Sequence, residues 1–198
     1  MCRAWFTKKL TILSVLRIRC LAEVMESEHS VDLRYGVDEY RYFFTVYAEN
    51  IDGDFRTRIR FSTGHEAVVD EPVEFGGSNA GPNPIEMLLA SLASCFVISI
   101  LIHAKRFGVS IDRVEVYVRG WFDIRGFLGV DSSKRGMELI TLRARIESGA
   151  ECEKLKKVVD RALRGWVVGS TLAKSGVLKI SLSISRCVDS LSIDLSQH

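Results

Sequence analysis

The chain has 198 residues, 47% of them hydrophobic and 26% charged. That is enough apolar material to offset the entropy of ordering the chain, which excludes disorder as its main state. Lys and Arg number 27 against 25 Asp and Glu, a net charge of +2, so no whole-chain field exists for gripping nucleic acid or an anionic membrane. Asn50, Asn79, Asn83 and Gln197 are its only side-chain amides, a scarcity that hints at a heat-adapted source. The five cysteines, at positions 2, 20, 95, 152 and 187, are widely spaced with no CxxC. Neither a secreted disulfide framework nor a structural zinc site is suggested. His29, His65, His103 and His198 show no paired-ligand spacing, and no metal is expected either.

Residues 1–24 carry a short apolar run, 10–16, cut off by Arg17 and Arg19, with no small-residue cleavage site after it. They read as an extension rather than a signal peptide, with Met25 an alternative start and residues 25–198 one domain. From 40 to 69 the text is strand-like: YRYFFTVYAE and DFRTRIRFS flank the hairpin turn Asn50-Ile51-Asp52-Gly53. Period two in the second strand puts Arg56, Arg58 and Arg60 on one face, either solvated or turned toward an anion. GHEAVVDEP adds a short strand, and FGGSNAGPNP a loop of close backbone turns. A helix follows. Asn83 is placed to cap it, Pro84 to take its first position, Glu86 to complete a capping box, and Gly108 to stop it.

Residues 87–102 of that helix hold no charge, yet a spanning helix wants ~20 apolar residues. Three serines and a cysteine interrupt this run, and Lys105 and Arg106 close it. An all-round apolar helix of this kind is read as the buried centre of a soluble fold. VSIDRVEVYVRGWFDIRG then predicts a strand through Val114, Val116 and Val118. After the loop LGVDSSKRG comes the strand MELITLRARIES, then a helix over 150–163 with Leu155, Val158, Val159, Ala162 and Leu163 on its apolar face. VLKISLSIS is a last strand, and CVDSLSIDLSQH a weakly determined tail. Runs of strands segregated by helices argue an α+β fold.

Cys95 lies near the middle of the apolar helix, with Ser91 and Ser99 one turn away on the same face. Alone, a cysteine there reads as a small core hydrophobe, and mid-helix it lacks the N-terminal dipole that favours a thiolate. Reactivity would need a cation from elsewhere, and the arginine strand is a source.

The stretch GGSNAGPNPIEMLLASLASCF resembles the signature of the OsmC/Ohr superfamily, the osmotically inducible and organic-hydroperoxide-resistance proteins. Asp70-Glu71-Pro72 before it and residues 120–129, GWFDIRGFLG, after it fit the same pattern, over roughly 40–186. The resemblance implies antiparallel sheets around two central helices, an intertwined homodimer, and thiol peroxidase chemistry without a cofactor. It implies a peroxidatic role for Cys95, with an arginine, Arg56 or Arg58, and a glutamate holding the thiolate; the family's glutamate falls one place earlier, at Ile85, which leaves Glu86 as the candidate. The second, resolving cysteine of the better-known branches falls where this chain has Trp166, so an external thiol would have to regenerate Cys95. Glu86 lies nine residues from Cys95, the opposite helix face at ~100° per residue, where a capping role competes with a catalytic one. The resulting expectation is a cytoplasmic, homodimeric hydroperoxide reductase, with neither nucleic acid nor membrane as partner. The alternative is a non-catalytic relative in which Cys95 only packs.

Overall fold

The structure is a computed structural model that describes residues 36–130, 135–184 and 191–193. The N-terminal extension, Met25, Cys2, Cys20 and Cys187 lie outside the described residues. The chain divides between Gly81 and Pro82 into two compact units.

The first unit holds β1 (Gly36–Asp38) paired with β2 (Arg41–Phe43), and an antiparallel meander of β3 (Val46–Asn50), β4 (Thr57–Phe61) and β5 (Glu66–Val69). The β3–β4 turn is built as its sequence predicts. Asn50 Nδ2 donates to the carbonyls of Asp54 and Arg56, its Oδ1 accepts from the Gly53 N–H, and Gly53 takes a φ of 80° that favours glycine. After a single 3₁₀ turn (Val73–Phe75), the glycine-rich loop folds back on buried Asp70. The Asp70 carboxylate accepts from the backbone of Glu71 (2.8 Å), Ser78 (3.0 Å) and Ala80 (3.0 Å), and from Ser78 Oγ (2.7 Å). Gly77 and Gly81 are required by close approach: a Cβ at either would lie 2.0 Å from the Glu71 carbonyl oxygen or 2.2 Å from that of Val68.

The second unit opens with α1 (Pro84–Arg106), whose capping box is complete. It continues through β6 (Arg113–Phe122), α2 (Ile124–Leu128), β7 (Met137–Glu147), α3 (Cys152–Arg164), α4 (Val167–Ala173), β8 (Leu178–Ile184) and β9 (Leu191–Ile193). The sheet order is β6-β7-β8-β9. Strict alternation buries Ile140, Leu142, Ala144 and Ile146 of β7 and Leu178, Ile180, Leu182 and Ile184 of β8. Leu92, Phe96, Ile100 and Ala104 of α1 and Leu155, Val158, Val159 and Ala162 of α3 complete the same core.

Three expectations need correcting. The sheet is mixed rather than antiparallel: β7 and β8 run parallel because α3 and α4 form the crossover between them. The segments after Phe122 and Trp166 are short helices, and the tail contributes β9, paired with β8. Finally, α1 is not buried all round. One face is core, while Ile98, Leu101 and Ile102 keep 55%, 42% and 52% of their surface exposed. By length and composition α1 could also cross a membrane, a test that core helices of soluble proteins pass too.

Candidate functional site

The site is built around Cys95, the free cysteine among the described residues. It is half-buried and packs against the core of the second unit. Its helix neighbours Leu92 and Phe96 have no exposed surface at all. The Phe96 ring meets the Trp166 indole edge to face, with centroids 5.0 Å apart and planes at 69°, a geometry favoured by the ring quadrupoles.

Trp166 sits at the junction of α3 and α4 and is itself fully buried. Its Nε1–H has no hydrogen-bond acceptor among the described residues. Gly169 makes room for the indole: a Cβ there would lie 2.1 Å from the Trp166 ring. The position at which the resemblance calls for a resolving thiol is therefore filled by a packed aromatic ring. Sequence reasoning identified the substitution but missed the packing around it. The available signal was glycine three residues after tryptophan, the helical spacing at which side chains meet.

The polar neighbours on α1 are committed elsewhere. Ser91 Oγ donates to the Leu88 carbonyl at 2.7 Å, and buried Ser99 Oγ donates to the Ala162 carbonyl of α3 at 2.8 Å. Each hydroxyl has one proton, so neither donates to the Cys95 sulfur. Ser99 instead ties α1 to α3. Glu86 is held at the helix start, where its carboxylate accepts from the Asn83 N–H (2.9 Å) while Asn83 Oδ1 accepts from the Glu86 N–H (2.8 Å). It is exposed, and the structure does not bring it to Cys95 along α1.

The arginine strand is also different in detail. Arg56 precedes β4 and turns back into the hairpin, where it pairs with Asp52. Arg58 and Arg60 do share a face, but the anion they meet is internal: Glu49 of β3, at 3.4 and 3.9 Å. The Arg60 guanidinium also lies 4.7 Å from the Tyr47 ring centroid. Asp52 and Glu49 were the missed partners, one inside the turn and the other directly across from Arg58. Cys152, at the start of α3, is disulfide-bonded, so its thiol is not available to Cys95. No His, Cys, Asp and Glu cluster suited to a metal occurs among the described residues.

Comparison with known proteins bears on what this arrangement is. The family model for OsmC-like protein matches residues 76–181, from the glycine loop into β8. An OsmC-like protein from Mycoplasma pneumoniae superposes with a TM-score of 0.58 at 21% identity, over 75% of this chain and 98% of that one. Organic hydroperoxide resistance proteins from Legionella pneumophila and Elizabethkingia anophelis give 0.54 each, at 20% and 19% identity. These cover 73% and 75% of this chain, and 97% and 99% of theirs. No curated protein matches the sequence. At such identities the likeness to the solved structures is one of fold.

Proposed function

The chain belongs to the OsmC-like protein family, and from that membership we propose that it reduces organic hydroperoxides at Cys95 with an external thiol as reductant. The observation that carries the reading is a free, half-buried cysteine in mid-α1, inside the matched segment, with Trp166 where a second thiol would stand. The Cys95 thiolate attacks one peroxide oxygen and the O–O bond breaks. The alcohol leaves with a proton, and the sulfur is oxidised to sulfenic acid. Two equivalents of an external thiol then return Cys95 to the thiol, releasing water and a disulfide. The apolar side chains around Cys95 favour an organic peroxide over hydrogen peroxide. The cation for the thiolate is Arg56 or Arg58, as the family resemblance implies, and Glu86 is confined to capping. Residues 25–198 act as one domain, as a homodimer in the cytoplasm.

Peroxide treatment followed by dimedone trapping and mass spectrometry tests this. Selective labelling of Cys95, with hydroperoxide consumed only when free thiol is present, supports the reading. Equal labelling of the other cysteines, or none, overturns it. The second reading, a non-catalytic relative, is favoured by one observation: Cys95 packs against the apolar core that contains the Phe96 and Trp166 rings. Absence of turnover with an intact fold would favour it.

A further inference from the structure

The outer face of the β6–β9 sheet carries chemistry that the thiol reading does not use. Residues 113, 115, 117, 119 and 121 of β6 alternate away from the core, as do 141, 143 and 145 of β7 and 179, 181 and 183 of β8. The register sets Arg119, Thr141 and Lys179 in one row across three strands, and Tyr117, Arg143 and Ser181 in the next. Trp121 follows two residues beyond Arg119. Tyr117 and Trp121 are 61% and 49% exposed, and the register leaves them about 13 Å apart along β6 at ~3.3 Å per residue.

Charge on this face is uneven. Arg113 pairs with Glu115 at 2.7 Å and Arg145 with Glu147 at 2.9 Å, which neutralises one end. Arg119, Arg143 and Lys179 are exposed and make no ion pair among the described residues. The whole-chain balance of +2 conceals this local excess, which is interleaved with two open rings.

We propose that this sheet face binds single-stranded nucleic acid, with Tyr117 and Trp121 stacking on bases and Arg119, Arg143 and Lys179 meeting phosphates. Exposed rings supply π-faces that any base can use, and cations between them track a backbone. Ser181 and Ser183 add hydroxyls for sugar or phosphate oxygens, whereas the Thr141 hydroxyl is spent on the Arg119 carbonyl at 3.3 Å. An acidic polypeptide would use the cations but has no need of two open rings. A bilayer surface would call for aliphatic side chains, and this face presents hydroxyls in their place.

The test is anisotropy of a fluorescently labelled twelve-nucleotide oligo-dT or oligo-U titrated with the full chain at several salt concentrations. Binding at low salt should weaken about tenfold or more in Tyr117→Ala/Trp121→Ala. Arg119→Ser/Arg143→Ser should flatten the salt dependence, by about 0.7 in log–log slope for each phosphate no longer neutralised. Arg113→Ser, at the neutralised end, should leave both unchanged. Circular dichroism confirms that each variant folds. No binding at low salt overturns the proposal, as does binding indifferent to the ring substitutions. Displacement of the oligonucleotide by polyglutamate at equal charge would also overturn it, pointing to an acidic protein partner.

Discussion

Asp70 shows how one side chain can fix a loop. Its Oδ2 accepts three hydrogen bonds, from the backbone of Ser78 and Ala80 and from Ser78 Oγ. Those bonds, led by that of Ala80, hold its pKa at about 2, below the usual 3.8. A carboxylate depressed in this way stabilises the fold above its unfolded pKa and loses that contribution as pH falls through the folded value. Asp70→Asn, with a single acceptor oxygen, should therefore lower the urea midpoint at neutral pH. Its deficit relative to wild type should shrink between about pH 4 and pH 2, and a deficit constant across that range would show that the charge is not what holds the loop. At Cys95 the residue-level question is the cation. Arg56 and Arg58 are held by Asp52 and Glu49 in exposed pairs, which typically contribute about 0–1 kcal/mol, so neither is costly to release. Iodoacetamide titration of wild type, Arg56→Met and Arg58→Met should show one variant with a raised alkylation midpoint and slowed oxidation. Three coincident curves near an ordinary thiol's ~8.5 would leave Cys95 unactivated and favour the non-catalytic reading.

Among the elements, α1 and the α3–α4 junction carry the sharpest consequences. Asn83→Ala removes the cap that Glu86 completes and should cost about 1 kcal/mol, read as a lowered urea midpoint with little change in Cys95 reactivity. If Glu86 served the thiol, Glu86→Gln, which can still accept from the Asn83 N–H, would slow Cys95 oxidation; unchanged kinetics are expected. Gly169→Ala forces a Cβ into the Trp166 ring and should cost about 1–3 kcal/mol by overpacking. A neutral result would mean the indole can shift. These elements also mark what a sequence makes legible. The α1 start was readable because capping joins neighbours at fixed spacing, and β6, β7 and β8 because alternation persists over seven to eleven residues. The five residues of α2, the seven of α4 and the three of β9 are too short to show a period, so each was missed. The parallel β7–β8 pairing depends on a crossover that no local pattern encodes. Cys95 and its bare surroundings were legible, but the arginine partners were not: the period-two run of arginines continued one residue beyond the strand that enforces it.

At the scale of the molecule, two surfaces distinguish composition from distribution. Net charge said nothing of the basic, ring-bearing face of the sheet, because paired ends cancel its excess in the sum. Likewise, the apolar run of α1 suggested a fully buried helix, whereas a single chain covers only one side of it. Ile98, Leu101 and Ile102 instead line a mostly apolar strip of the second unit with Val109 and Ile111, alongside Lys105 and Ser110. Contiguous apolar surface on a soluble chain marks an interface, and at ~25 cal/mol per Å² of apolar area removed from water such a strip supplies a steady drive for association. A second copy of the chain covering it is the homodimer proposed above. Light scattering at micromolar concentration should then give twice the mass of the chain. Ile98 and Ile102 lie one helical turn apart on that face, so Ile98→Asp/Ile102→Asp should place two carboxylates in the interface and shift the protein to monomer. Both positions are half-exposed in the single chain, so the circular dichroism of the double variant should stay close to wild type. A wild-type monomer at that concentration, or a double variant that remains dimeric, would remove α1 from the interface.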